Sequence, residues 1–259
     1  MDPLTLIGIG GAFFLLFVGV IMEGTNPAAL IGIPAFIIVI VPTILVSAAG
    51  LTKADIPTVI AMMKKALMGS VESAADSIAL LVSFADTARK EGLLALEEPS
   101  RSLEDPFLRK GINLAVDGTD PDELREILEA DIHSRKLEDK VAHKFFTDMG
   151  GFAPTLGIVG AVTGLIHVLG NLADPASAGE GIAGAFVATF YGVAFANIVF
   201  LPIGNKIKRV ADAEAERMEL LLEGILAIQA GANPRVVEEK LVAHLPPAER
   251  ENYAEPEAA

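Results

Sequence analysis

The chain has 259 residues, 52% of them hydrophobic, and a mean hydropathy of +0.49, yet its formal net charge is -14. Strong apolarity and strong acidity coexist only in separate segments, which excludes a single soluble globular body. The acidic balance excludes nucleic acid as a partner, because phosphate binding needs clustered Lys and Arg.

The first apolar run, Pro3 to Met22, has the roughly 20 residues a helix needs to cross a bilayer. A second run follows at once, so the first reads as a span and not as a cleaved signal. Gly8, Gly10, Gly11 and Gly19 would let it lie close to a neighbour. After EGTNP the second span runs from Ala28 to about Leu51, closing a transmembrane hairpin over 1–51. Pro34 and Pro42 fall inside it, where each removes an internal hydrogen bond and bends the helix.

Residues 52–148 are charged and helically periodic. Ile56, Val59, Ile60, Met63, Leu67 and Val71 recur at spacings of three and four, as one buried stripe, and Ile78, Leu81, Val82 and Ala85 continue it. Glu98-Pro99-Ser100 and Glu104-Asp105-Pro106 break the pattern. A further helix opens at Asp120, with Pro121 first and Glu123 three residues after the cap. It carries Leu124, Ile127, Leu128, Ile132, Leu137 and Val141 to Gly150-Gly151, which marks the start of the third span.

Residues 149–205 form a second hairpin: MGGFAPTLGIVGAVTGLIHVLG, the polar turn NLADPASAGE, then GIAGAFVATFYGVAFANIVFLPIGN. Residues 206–245 return to charged helix, which Gly231 can end and Asn233-Pro234 restarts as cap and first residue. Residues 246–259 are polar and acidic, with the composition of a disordered tail.

Every Lys and Arg lies within 52–148 or after Pro202, and none lies in either short turn. Positively charged loops stay cytoplasmic, so both termini, the loop and the tail are expected inside the cell. The fold class is therefore an all-α integral membrane protein with four transmembrane helices. The loop between spans 2 and 3, with the C-terminal tail, forms a helical cytoplasmic domain.

The second hairpin holds the chemistry. Ala153, Gly157, Gly160, Ala161 and Gly164 give the third span a smooth face; Gly184, Ala188, Gly192 and Ala196, beside Gly181, Ala185 and Thr189, do so for the fourth. Thr155, Thr163, Thr189 and Asn197 could line a hydrated path, although a Thr in a helix also bonds the carbonyl four residues back. Pro154 and Pro202 read either as helix-end adjustments or as a pair of hinges. No span carries an Asp, Glu, Lys or Arg, so a partner must bring any carboxylate that handles ions at bilayer depth. Cysteine is absent, and His133, His143, His167 and His244 are not at ligand spacing, so neither metal nor cofactor nor enzyme activity is expected.

The segments GGFAPTLGIVGAVTGLIHVLG and GAFVATFYGVAFANIVFLPI resemble the last two spans of the MotA/PomA flagellar stator subunits, within the wider MotA/TolQ/ExbB channel family. GANPRVVEEKLVAHL is similar to that family's tail, and the N-terminal hairpin favours the stator branch. The resemblance implies five copies of the chain around two copies of a MotB-like partner, which supplies a membrane Asp and a peptidoglycan-binding domain. Ion flow past that Asp drives torque on the rotor protein FliG, from the bacterial inner membrane. It further implies that Thr189 faces the partner's Asp and that Pro154 and Pro202 are functional prolines. In ARKEGLLALEE, Arg89 and Glu97 match the rotor-contacting positions.

Sodium-type relatives carry a Thr where Ala161 stands here. One hydroxyl fewer suits a proton better than a cation needing several oxygens, and proton coupling is expected. Thr163, two positions on, points about 200° away on an ideal helix. The rival readings are an ExbB/TolQ-like energiser of another envelope process and a small secondary transporter, for which midplane broken helices would be expected.

Overall fold

The computed structural model describes residues 3–68, 73–170 and 175–254, and every regular element among them is helical. The helices are α1 (Pro3–Met22), α2 (Ile33–Ala49), α3 (Asp55–Met68), α4 (Ala74–Glu91), α5 (Glu97–Arg101), α6 (Pro106–Val116), α7 (Pro121–Gly170), α8 (Pro175–Ala194), α9 (Leu201–Gln229), α10 (Pro234–Val242) and α11 (Pro247–Ala254). The chain divides into two compact units, one of residues 1–70 and 138–210, the other of 71–137 and 211–259.

The first unit turns its aliphatic side chains outward. No residue of α1 is buried, and Leu15, Ile37, Leu45 and Phe186 are all more than half exposed. Three helices are long and apolar enough to cross a membrane: Pro3–Met22, the apolar part of Pro121–Gly170 and that of Ala178–Gln229. At 17 residues α2 is shorter, about 26 Å at 1.5 Å per residue. It begins at Ile33 and not at Ala28, because Pro27–Leu30 forms a separate 3-10 turn capped by Asn26. Pro34 consequently sits in the first turn, where its missing donor costs nothing, and only Pro42 is internal. The first N–H of this helix, on Gly32, donates to the Tyr191 hydroxyl at 3.2 Å. A Cβ on Gly8, Gly10, Gly11 or Gly19 of α1 would meet nothing within 4 Å.

The second unit has an ordinary aliphatic core. Ile78 and Leu81 of α4, Leu108 and Ile112 of α6, Leu124 and Leu128 of α7, Leu221 and Ile225 of α9, and Leu241 of α10 are almost wholly excluded from solvent. Two of its helix starts follow the sequence signals, and Asp105, read there only as a break, adds a third cap. Asp105 accepts from the N–H groups of Phe107 (2.7 Å) and Leu108 (3.3 Å), Asp120 accepts from Asp122, and Asn233 accepts from Arg235.

Four further expectations change. The helix opening at Pro121 runs 50 residues without a break at Gly150-Gly151. Gly150 is there for close packing, since a Cβ on it would collide with the Leu201 side chain. The stripe of α3 is shifted: Val59, Met62 and Ala66 are buried while Ile56 and Ile60 are exposed, and Val71 lies outside the described residues. Glu98-Pro99-Ser100 is helical within α5, whereas the break at Glu104-Asp105-Pro106 is present, between Arg101 and Pro106, and another lies at Gly92 (φ 89). Residues 247–254 form a helix, tied down by the Tyr253 hydroxyl donating to Glu238 (2.7 Å) and by Arg250 donating to the Leu245 and Ala243 carbonyls (2.7 Å each).

Candidate functional site

In the first unit α7 and α8 touch backbone to backbone. A Cβ on Gly157 would lie 3.1 Å from the Ala188 carbonyl oxygen and 3.3 Å from both the Gly192 and Thr189 Cα atoms. One on Gly192 would meet the Gly157 and Pro154 Cα atoms at 3.1 Å and press still closer on the Ala153 carbonyl. One on Gly164 would come within 3.2 Å of the Ala185 Cβ. Small residues permit this approach in a membrane, where dispersion and not hydrophobic burial drives helix association. The packed face of α8 is Gly181, Ala185, Ala188 and Gly192, continued by the buried Ala196 just beyond it; a Cβ on Gly184 would meet nothing within 4 Å. The helix α8 already begins at Pro175, so Glu180, read from sequence as part of the turn, lies exposed on its early turns.

The polar groups divide between two faces. Ala161 follows Gly157 by four residues, about 40° around α7, and is half-buried on the flank where Gly157 meets Thr189. Thr189 is likewise half-buried. Thr155 and Thr163 lie exposed on the opposite face of α7, and Asn197 lies exposed beyond α8. The structure therefore brings Ala161 and Thr189 to one flank and leaves the other three apart from them. Each hydroxyl or amide is held by its own helix: Thr155 to the Phe152 carbonyl (2.8 Å), Thr163 to Val159 (2.8 Å), Thr189 to Ala185 (3.3 Å) and Asn197 to Val193 (2.8 Å).

Pro154 lies inside a continuous α7, against Gly192. Pro202 has a larger local effect: the six residues Phe195–Phe200 ahead of it form a π-turn, in which the Leu201 N–H reaches the Ala196 carbonyl five residues back. A proline cannot donate to the carbonyl four residues before it, and the wider ring redistributes the donors that remain. The turn is packed by aromatic rings, with Phe195 at 6.0 Å from Phe13, 5.7 Å from Tyr191 and 6.2 Å from Phe200. The Asn197 side chain supports it by bonding the Val193 carbonyl.

In the second unit Arg89 and Glu97 are both exposed, one in the last turn of α4 and the other opening α5, across the Gly92 turn and the 3-10 turn Leu93–Leu96. Glu97 pairs with Arg101 at 2.7 Å, a partner that sequence reasoning missed although the i,i+4 spacing marks it. In the same unit Asp105, capping α6, accepts from Arg217 of α9; these side chains are 12% and 13% exposed, and Arg217 also donates to Ser77 of α4 (3.4 Å). Further along α9, burial works to raise the Glu223 carboxyl, but hydrogen bonds from Lys240 (2.6 Å) and Arg125 (3.0 Å) outweigh it and hold the group below the usual carboxylate range. Burial and the bond to Glu238 push the Tyr253 phenol up to about 12. Among the described residues no group of three or more His, Asp or Glu side chains could hold a metal ion.

Over 256 residues the chain is 34% identical to Motility protein A of Bacillus subtilis strain 168, covering 98% of this chain and 95% of the relative. It belongs to the MotA/TolQ/ExbB proton channel family. The model of that family matches residues 99–220. Chemotaxis protein PomA of Vibrio alginolyticus is 34% identical over 95% of this chain and 96% of its own length. Two solved structures share the fold: C. jejuni MotAB, with a TM-score of 0.91 at 34% identity over 95% of this chain and 97% of that one, and the flagellar MotAB stator complex from Bacillus subtilis, with 0.88 at 33% over 96% and 98%. The family match spans α5 to the middle of α9, and so includes both faces of the glycine-packed hairpin.

Proposed function

We propose that this chain is the MotA-type subunit of a flagellar stator, which with a MotB-like partner forms a channel coupling proton flow across the inner membrane to torque on the rotor. The likeness to MotAB complexes along the whole chain carries the reading. The hairpin supports it: residues 149–170 and 182–205 contain no Asp, Glu, Lys or Arg, so they can wall an ion path but not hold its charge. A membrane carboxylate from two partner copies supplies that charge. Ala161 and Thr189 form the flank that meets it, with Thr155, Thr163 and Asn197 as further polar groups of the wall and Pro154 and Pro202 as hinges.

In this reading α1, α2, residues 149–170 and residues 181–205 are four spans, both termini are cytoplasmic, and five copies form the ring. The second unit presents Arg89 and Glu97 to the rotor protein FliG, and the chain is a motor component and not an enzyme. The test is to express the chain with its MotB-like partner in a flagellated strain lacking its own stator. Swimming restored in sodium-free medium and stopped by a protonophore is the expected result. Loss of torque on removing sodium would overturn proton coupling. Energisation of another envelope process without torque would favour the ExbB/TolQ-type reading, and solute uptake by a monomer would favour a transporter.

A further inference from the structure

The amphipathic helix α3 has a wider apolar arc than the chain covers. Val59, Met62 and Ala66 are buried, but Ile56 and Ile60, adjoining them on the helix surface, are 49% and 56% exposed, and Met68 is 61% exposed. Between Gly24 and Met68 the charged residues are Lys53, Asp55, Lys64 and Lys65, so this segment is basic in a chain of net charge -14. The lone acid is occupied locally, its carboxylate accepting from the Thr52 N–H (2.7 Å) and hydroxyl (2.9 Å).

We infer that α3 lies on the cytoplasmic leaflet of the bilayer, with Ile56 and Ile60 in the acyl boundary and Lys53 and Lys64 on anionic phospholipid headgroups. This rests on the reading of α2 as a membrane span. Only Gly50 to Ala54 separate the two helices, and α2 itself exposes Ile37, Ile44 and Leu45, so the isoleucines of α3 continue an aliphatic surface that already faces lipid. The composition fits lipid better than a second protein. Interface cores favour aromatic residues and Arg and are depleted of Lys, whereas aliphatic residues flanked by lysines suit a helix lying in the headgroup plane, the lysine stems covering apolar surface while the ammonium groups reach phosphate. Each Lys near an anionic membrane surface contributes about fivefold to binding.

The chain has no cysteine, so single reporter sites are available. Ile60→Cys, Ile56→Cys and Leu45→Cys, each labelled with bimane in the full chain with its MotB-like partner, are reconstituted in vesicles of phosphatidylcholine with phosphatidylglycerol. Doxyl-labelled lipid of either headgroup serves as quencher. The expected result is quenching at positions 45, 56 and 60 by shallow doxyl lipid, with phosphatidylglycerol preferred at 56 and 60. Lys53→Gln and Lys64→Gln should each reduce that preference by up to about fivefold. Quenching at 45 without quenching at 56 and 60, or disulfide cross-linking between copies of the unlabelled Ile60→Cys variant, overturns the proposal and leaves the membrane reading standing. Equal quenching by both headgroups overturns the anionic recognition. An unquenched label at 45 defeats the membrane reading itself.

Discussion

Replacing Gly192 by alanine tests whether the α7–α8 contact is set by backbone approach. The new methyl group would sit 3.1 Å from the Cα atoms of Gly157 and Pro154, and nearer still to the Ala153 carbonyl. None of these is the end of a flexible side chain, and carbon atoms rest at about 3.5–4.0 Å, so the helices must part by about 0.5–1 Å. Overpacking of this kind costs about 1–3 kcal/mol. Gly184→Ala is the matched control: same helix, same substitution, open space around it, and a gain of about 0.5–1 kcal/mol from the lower helical cost of alanine. The pair should separate in thermal unfolding of the purified complex, Gly192→Ala melting below the parent and Gly184→Ala at or above it. Proton uptake into vesicles and swimming should fall with the first and hold with the second. Equal behaviour of the two variants in both assays would refute the reasoning.

Removing Arg217 as Arg217→Met should destabilise the second unit by about 1–3 kcal/mol, because the largely buried Asp105 carboxylate loses its charged partner and keeps only the Phe107 and Leu108 N–H groups; a cycle with Asp105→Asn in urea unfolding gives the coupling. The depressed Glu223 carboxyl contributes stability that is fully present above its unfolded value and is lost as pH falls through the lower folded value, since the unfolded chain then binds the proton first. Glu223→Gln should therefore flatten the acid limb of a stability–pH curve and leave its alkaline limb alone. Tyr191→Phe removes the acceptor for the half-buried Gly32 N–H, and losing a hydrogen bond of this kind costs about 0.5–1.5 kcal/mol. Its signature is faster hydrogen exchange confined to the first turn of α2.

Much of this was legible from residue types whose physics is local. Asp120 and Asn233 cap because a short side-chain acceptor next to a helix start has one favourable use, and Gly231 ends a helix at positive φ as its position suggests; Asp105, read only as a break, caps for the same reason. The small faces of the hairpin were legible for the same reason. What sequence could not supply was which of several equivalent arcs another element covers. Ile56 and Ile60 share the periodicity of Val59, and only tertiary contact decides which is buried. Gly150-Gly151 looked like punctuation because glycine is costly within a helix, yet the Leu201 side chain needs the space. Pro202 announces a missing donor but not the ring size by which its neighbours compensate. Spacing alone turns Thr163 away from Ala161, but which flank of α7 meets Thr189 is decided by the contact through Gly157.

The π-turn at Phe195–Phe200 also marks where this protein can lose a residue. Within α8 itself, deleting one position would swing everything on one side of it by about 100° and turn the glycine face away from α7. Within the π-turn, the same deletion lets the helix close with α-helical rings and keeps both flanks facing as they do now. A scan of single-codon deletions along residues 178–205 should find its tolerant window there, a genetic mark of a surplus residue that substitution scanning would pass over.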